Sequence, residues 1–176
     1  MLKNILGVML LAFALQACRA SMRPAVKNVQ AGWEDCAGTP GIPCASKKLG
    51  DKKAAAVFDA FRKAGVDGEK DSEMDRFSVF MASCAKTAAA YKCTFKYHDA
   101  ANGQKLSPEI SIRDEAGQND GKAKSLYDAL VNAGVAEDCN SGACVAAVTS
   151  AGCRKLSTGG STDCILSKGT AIEVAW

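Results

Sequence analysis

The stretch that decides the fold is Asp51-Lys-Lys-Ala-Ala-Ala-Val-Phe-Asp-Ala-Phe-Arg-Lys-Ala-Gly-Val66, because the chain repeats it. The second copy reads Asp120-Gly-Lys-Ala-Lys-Ser-Leu-Tyr-Asp-Ala-Leu-Val-Asn-Ala-Gly-Val135 and lies 69 residues further along. Self-similarity at a fixed offset is typical of a duplicated structural unit. We therefore analyse the rest of the chain as two copies of one unit.

Both copies have the apolar spacing of an amphipathic helix. Asp51 and Asp120 stand at the predicted N-caps, because a carboxylate there accepts hydrogen bonds from free N–H groups of the first turn. Gly65 and Gly134 stand at the predicted ends, where glycine adopts the left-handed conformation without strain. The predicted core stripes are Val57, Phe58 and Phe61 in the first copy and Leu126, Tyr127 and Leu130 in the second.

Cysteines beyond the helices support the duplication. The same offset of 69 residues places Cys84 on Cys153 without a gap. A gap of two residues then places Cys93 on Cys164. A chance match between two helices would not also align two cysteines, so the sequence predicts a tandem duplication.

Strand patterns follow each helix. Residues 91–98, 108–113 and 170–176 alternate between apolar and polar residues, as half-buried strands do. Residues 77–84 also fit a helical stripe, but residues 144–153, in the matching place of the second copy, are more strand-like, and we interpret both as strands. The predicted fold class is α+β, a tandem duplication of a helix packed on a small antiparallel sheet and stapled by disulfides.

One strand register predicts an aromatic face in the first copy. A hairpin that pairs Cys84 with Cys93 also places Phe80 opposite Tyr97, on the face that carries Phe95. The second copy has far fewer aromatic residues than the first. We therefore expect Phe80, Phe95 and Tyr97 to form a candidate binding face.

The chain has nine cysteines, and their spacing favours disulfides. Zinc and thiol-redox sites both favour a Cys-x-x-Cys spacing, which the chain lacks, and we expect no metal site. Short-loop disulfides stabilise a small exported domain by about 2–3 kcal/mol each. The predicted pairs are Cys36–Cys44, Cys84–Cys93, Cys139–Cys144 and Cys153–Cys164.

The N-terminus has the pattern of an export signal. Residues 5–15 form an apolar run that is too short to span a bilayer but has the length of a signal-peptide core. The run ends in Leu15-Gln-Ala-Cys18, which resembles the lipobox of bacterial lipoproteins. The resemblance implies cleavage before Cys18, lipidation of that cysteine, and attachment to a membrane. An ordinary secretory signal peptide is the alternative.

These features predict an order of segments and a location. Arg19 follows the lipidated cysteine, which in enteric lipoproteins implies the outer membrane, at its periplasmic face or the cell surface. Removing Cys18 leaves an even number of cysteines, as an oxidising compartment favours. The predicted segments are the signal peptide (1–17), a lipidated N-terminus and turn-rich tether (18–50), a first α+β repeat (51–115) and a second (116–176).

Composition excludes several classes of protein. The 176 residues are 48% hydrophobic with a net charge of +3, too polar for a multi-span membrane protein and too apolar for a disordered one. The positive charge is not clustered, so we expect no nucleic acid partner. One histidine, His98, limits metal and triad chemistry, and we expect no cofactor. A hydrolase using His98, Asp99 and Ser83 remains an alternative.

The acidic segment 67–75 has carboxylates at alternate positions, as a calcium loop does. It departs from the EF-hand pattern, which requires Gly and Glu where this chain has Ser72 and Ser78. The second copy has Cys139 and Cys144 in this region. An ion could thus close one loop where a disulfide closes the other, but we favour a solvated acidic loop.

Taken together, the residues predict a lipid-anchored envelope protein with a non-enzymatic binding or interaction role. We expect its partners to be the membrane, through the lipid, and an unidentified protein or other envelope component. The alternatives are a structural or accessory envelope lipoprotein and the hydrolase.

Overall fold

The computed structural model describes residues 33–35, 44–99, 105–119 and 121–169. These residues form two helices, α1 (Asp51–Ala64) and α2 (Lys122–Asn132). The strands are β1 (Glu34–Asp35), β2 (Cys44–Lys48), β3 (Glu69–Lys70), β4 (Met74–Thr87), β5 (Ala90–Asp99), β6 (Lys105–Leu106), β7 (Ile110–Glu115), β8 (Glu137–Asn140), β9 (Ala143–Leu156) and β10 (Thr162–Gly169).

The fold is α+β, with both helices on one antiparallel sheet of nine of these strands. Its order is β1-β2-β10-β9-β4-β5-β7, with β3 beside β4 and β8 beside β9. The short strand β6 pairs only with the end of β5. The predicted fold class is thus confirmed at the level of layers: two helices cover one face of an antiparallel sheet.

Two long strands form the centre of the sheet. β4 and β9 pair from Met74 opposite Leu156 to Thr87 opposite Ala143, and their first residues are 69 positions apart. Met81 interrupts β4 with a φ of 49° and shifts its register against β5. This bulge changes which side chains of β4 face the helices, because alternation restarts after the extra residue.

Each helix packs mainly against strands of the other half of the chain. α1 lies against β10 and β9, whereas α2 lies against β5, β7 and β4. The first turn of each helix contacts a disulfide: Cys93 Sγ is 3.3 Å from the Ala123 carbonyl oxygen, and Cys164 Sγ is 3.4 Å from that of Ala54. The predicted unit, a helix packed on the small sheet of its own repeat, is therefore wrong in its packing, because pairing of β4 with β9 joins both halves in one core.

The helix ends correct one prediction and confirm another. The N-cap residues are Gly50 and Gly121, not the aspartates, and Asp120 lies outside the described residues. Asp51 is the first residue of α1, and its carboxylate accepts a 2.7 Å hydrogen bond from the Thr162 N–H of β10. Gly65 ends α1 with a φ of 100°, as predicted.

Part of the predicted tether belongs to the sheet. Cys44–Lys48 forms β2 on the free edge of β10, and the Leu49 N–H donates a 2.9 Å hydrogen bond to Cys164. Trp33 is buried beside it. The sequence did not predict this strand, because a strand with no apolar alternation is specified by its pairing with β1 and β10. The predicted strand 170–176 lies outside the described residues.

Three disulfides join directly opposed residues of neighbouring strands. Cys84–Cys93 and Cys153–Cys164 are fully buried, with Cα atoms 4.0 and 4.2 Å apart. Cys139–Cys144 links β8 to β9. Cys44 is also disulfide-bonded, and its predicted partner Cys36 lies outside the described residues, as does Cys18.

Candidate functional site

A groove of about 700 Å³ lies along the middle of β9, and its lining includes the core residues Ala82 and Val148 as well as exposed ones. Its floor is the middle of β9, where Ala147 and Thr149 alternate with the core residues Ala146 and Val148. Ligand sites commonly have volumes of roughly 300–1,000 Å³. The walls include Met81, Ser83, Glu137, Asp138, Lys168 and Gly169.

The groove exists because two neighbours of β9 stop short of each other. β8 pairs with β9 from Ala143 to Ala146, and β10 pairs with it from Ser150 to Lys155. On this edge of β9, residues 147–149 have no ladder partner among the described strands. The last residues of β10 pair with β2 instead. The resulting gap is roughly 10 Å long, three residues of strand.

The first half of the sheet fills the corresponding place with its own aromatic side chains. Phe80 of β4 packs edge-on against His98 of β5, with ring centroids 4.7 Å apart. The repeat aligns these two residues with Thr149 and Gly169, which both line the groove. The groove therefore lies where the second half has small residues at the positions that align with Phe80 and His98 of the first half.

Side chains of opposite charge, Lys168 and Glu137, both line the groove. Lys168 stands over the ring of Trp33 at 4.8 Å, and burial, with the charge of Lys47, lowers the Lys168 pKa. Glu137 accepts a hydrogen bond from the Tyr127 hydroxyl of α2. Burial and this contact raise the pKa of Tyr127. Most of the groove lining is apolar.

The predicted aromatic face does not form. Val79, not Phe80, lies opposite Tyr97, because the bulge at Met81 shifts the register by one residue. Phe95 is in the core against Phe61, with ring centroids 5.9 Å apart. The register expectation is wrong, and Phe80 is separated from Phe95 and Tyr97 by the sheet itself.

The hydrolase candidates are not brought together. Ser83 lies opposite Thr94 of β5, and His98 is four residues further along that strand. Four residues of extended strand span roughly 13 Å, far beyond hydrogen-bond distance. Of Asp99 the structure describes the backbone alone. Ser83 is instead part of the groove wall.

Carboxylates of the acidic segment 67–75 already accept hydrogen bonds from backbone N–H groups or form ion pairs with arginines of the chain. Asp71 accepts 2.8 and 2.7 Å hydrogen bonds from the backbone N–H groups of Glu73 and Met74, which lower its pKa. Asp75 pairs with Arg62. Glu69 pairs with Arg76 at 2.6 Å in the same hairpin. Ion pairs and a turn therefore hold this loop without requiring a cation.

The described residues place Glu137, Cys139 and Cys144 close enough to share a metal ion. The two cysteines form a disulfide, however, and a disulfide sulfur is not the thiolate that binds zinc. The remaining ligand is a single carboxylate that already accepts the Tyr127 hydrogen bond. We do not treat this cluster as a metal centre.

Sequence reasoning missed the groove. It sought large aromatic residues, whereas the site depends on the small residues Thr149 and Gly169 and on the exposed Met81. The usable signal was the repeat alignment, which sets Phe80 against Thr149 and His98 against Gly169. The gap between β8 and β10 needs the strand pairing and had no local signal.

Comparisons with known proteins add no relative. No family model matches the chain, no curated protein matches it, and no solved structure matches its fold. Among the described residues, neither helix combines the length and apolar character needed to cross a lipid bilayer.

Proposed function

We propose that this chain is an exported, lipid-anchored protein of the bacterial cell envelope, built by tandem duplication, that binds an apolar polypeptide segment in the groove. The duplication is supported by matching core positions 69 residues apart in the two helices. These are Ala54, Val57, Phe58, Ala60 and Phe61 in α1 and Ala123, Leu126, Tyr127, Ala129 and Leu130 in α2, all of them buried.

Disulfides support export. Cys84–Cys93 and Cys153–Cys164 lie in the core under the first turns of the helices, so the fold is built around the oxidised form. Disulfides persist in the periplasm and outside the cell, and cytosolic thiol systems reduce them. The anchor itself rests on the lipobox-like Leu15–Cys18 motif, outside the described residues.

The groove is the observation that carries the binding role. Its lining is mostly apolar, and it lies where the matching place in the first half is filled by Phe80 and His98. Met81, on its wall, is 53% exposed and adds apolar surface to the groove. An apolar side chain that entered the groove would cover this surface, and the charged side chains of the lining would orient the segment.

Anchor and compartment are tested by the intact mass of native protein, alkylated without prior reduction. We expect a chain that begins at an acylated Cys18 and carries no alkylated thiol. A chain that begins elsewhere would overturn the lipid anchor. Alkylated thiols would overturn the oxidised fold.

The groove is tested by photo-crosslinking in intact envelopes. A benzophenone side chain replaces Asp138, exposed on the groove wall, and in a control replaces Lys52, exposed on α1. We expect adducts from position 138 alone, mapped by mass spectrometry to an apolar stretch of polypeptide. No adduct, or the same adducts from both positions, would contradict the groove and favour the structural, accessory role.

A further inference from the structure

The Cys139–Cys144 disulfide is exposed, unlike the two disulfides under the helices. Cys139 is exposed and Cys144 is half-buried at the end of the β8–β9 hairpin, whereas the four cysteines of the buried disulfides are 0% exposed. A reductant reaches an exposed disulfide directly, but it reaches a buried one only when the structure opens locally. We infer that Cys139–Cys144 is a site of thiol–disulfide exchange, which a dithiol reduces while the buried disulfides persist. The inference does not depend on what binds in the groove.

A lysine stands in one row with this disulfide across the sheet. Lys86 of β4 lies directly opposite Cys144 of β9 and, on its other side, directly opposite Tyr91 of β5. Cys144 in turn lies opposite Cys139 of β8. Directly opposed residues of antiparallel strands point to the same face, with Cβ atoms roughly 5 Å apart. Lys86 is therefore a neighbour of the disulfide on the face that carries the helices.

Tyr127 of α2 contacts charged groups near the disulfide. The Lys86 Nζ atom lies 6.0 Å from the centroid of the Tyr127 ring and 6.0 Å from that of the Tyr91 ring. The Tyr127 hydroxyl donates a hydrogen bond to Glu137. A carboxylate oxygen of Glu137 lies within 4.8 Å of both cysteine sulfurs. Because Tyr127 is buried, the helix holds a cation and a carboxylate close to the disulfide.

The reaction is a two-electron reduction of the disulfide. A thiolate of the dithiol attacks Cys139 Sγ, the more exposed sulfur, and forms a mixed disulfide with it. The bond between the two cysteines breaks, and Cys144 leaves with the electron pair as a thiolate, which takes up a proton. The second thiolate of the dithiol then attacks the reductant's own sulfur in the mixed disulfide and releases Cys139, which is protonated in turn. Two electrons and two protons pass to the cysteines, and the dithiol becomes a disulfide.

Lys86 favours the step in which Cys144 leaves. A positive charge near a thiolate stabilises it, and a more stable thiolate leaves faster. Glu137 has the opposite effect, because its carboxylate repels a second negative charge nearby. The Lys86 ammonium group offsets this repulsion.

The first test reduces the folded, oxidised protein with dithiothreitol, a dithiol. Samples taken at intervals are quenched with acid, alkylated with N-ethylmaleimide and mapped by mass spectrometry. We expect Cys139–Cys144 to be reduced about 100-fold or more faster than Cys84–Cys93 and Cys153–Cys164, since these wait for local opening. Reduction of either buried disulfide at the rate of Cys139–Cys144 would overturn the inference.

The second test measures the same rate in two variants with equal changes in net charge. Lys86→Glu should slow the reduction of Cys139–Cys144 about threefold or more at low salt, because it replaces the cation by a second carboxylate. Lys92→Glu, exposed on the opposite face of β5, should leave the rate unchanged. Near-ultraviolet circular dichroism checks that both variants keep the fold. Equal slowing by the two substitutions would assign the effect to net charge and overturn the role of Lys86.

The third test finds which sulfur is attacked, with the monothiol mercaptoethanol in place of the dithiol. After acid quenching and alkylation, we expect a mercaptoethanol adduct on Cys139 and N-ethylmaleimide on Cys144. The reverse pattern would overturn the order of attack. The control Cys139→Ser/Cys144→Ser should take up neither reagent in the same time. Adducts on the buried cysteines of this control would contradict the selectivity of the site.

Discussion

The two halves of the sheet agree in the core and differ at the periphery. At the same place in the two hairpins, β3 and β4 align Lys70 with Asp75, whereas β8 and β9 align Cys139 with Cys144. Asp75 is held by Arg62, so an ion pair in one half stands where a disulfide stands in the other. Core positions are restrained by packing against both helices, and peripheral ones are free to diverge. Differences between the halves are thus the places to look for function.

The largest expected effect comes from removing each of the two buried disulfides in turn. Cys84→Ala/Cys93→Ala and Cys153→Ala/Cys164→Ala should each lower the free energy of unfolding by about 3–5 kcal/mol, because each loses a cross-link and leaves space under a helix. Urea unfolding measures both. If the two losses differed by more than about 1.4 kcal/mol, a tenfold change in the folding equilibrium, the halves would not be equivalent.

A second test truncates to alanine, one at a time, the two aligned residues that differ between the halves at the groove. Phe80→Ala should lower the free energy of unfolding by about 3 kcal/mol, since it empties a buried site beside His98. Thr149→Ala should lower it by about 1 kcal/mol, through the 3.0 Å hydrogen bond that Thr149 donates to Ser167. Urea unfolding measures both, and equal losses would mean that the first half is not more tightly filled.

The sequence predicted which side chains of the two helices are buried but not which strands each helix packs against. Val57, Phe61 and their matches are buried as predicted, because helical periodicity alone decides which face packs. That α1 lies on β10 was not predictable, since it depends on contacts across 110 residues between Ala54 and Cys164. The bulge at Met81 was missed because an extra residue in one strand is visible only in its pairing with the partner strand.

The third test compares the two hairpin ends. Cys139→Ser/Cys144→Ser should lower the free energy of unfolding by about 2 kcal/mol, less than the loss of either buried disulfide. The Cys139–Cys144 disulfide closes only a short loop, and its removal leaves no cavity in the core. Asp75→Asn should lower the free energy of unfolding by about 1 kcal/mol, because the partly buried Arg62 guanidinium then lacks the negative charge of Asp75. A larger loss for Asp75→Asn would reverse the order of the two hairpins, and urea unfolding again provides the measurement.

The acidic loop offers a related test with calcium. Its carboxylates already pair with Arg62, Arg76 and backbone N–H groups, so we expect 1 mM calcium to leave the melting temperature unchanged. Scanning calorimetry with calcium and with chelator measures this. A melting temperature that rises with calcium concentration would show that the ion displaces these partners and closes the first hairpin as the disulfide closes the second.

The smallest effect expected from a substitution concerns one turn and its pH dependence. Hydrogen bonds from Glu73 and Met74 lower the pKa of the Asp71 carboxyl. A lowered pKa means that Asp71 adds stability above about pH 4, and that this contribution is lost as the pH falls through the folded-state pKa. The matching residue of the second half is Asn140, which does not titrate. Asp71→Asn should therefore lower the urea midpoint slightly at pH 7 and leave it like the wild type at pH 2. Asn140→Asp is the reciprocal control, and a midpoint difference for Asp71→Asn that stayed constant from pH 7 to pH 2 would assign its effect to packing and not to charge.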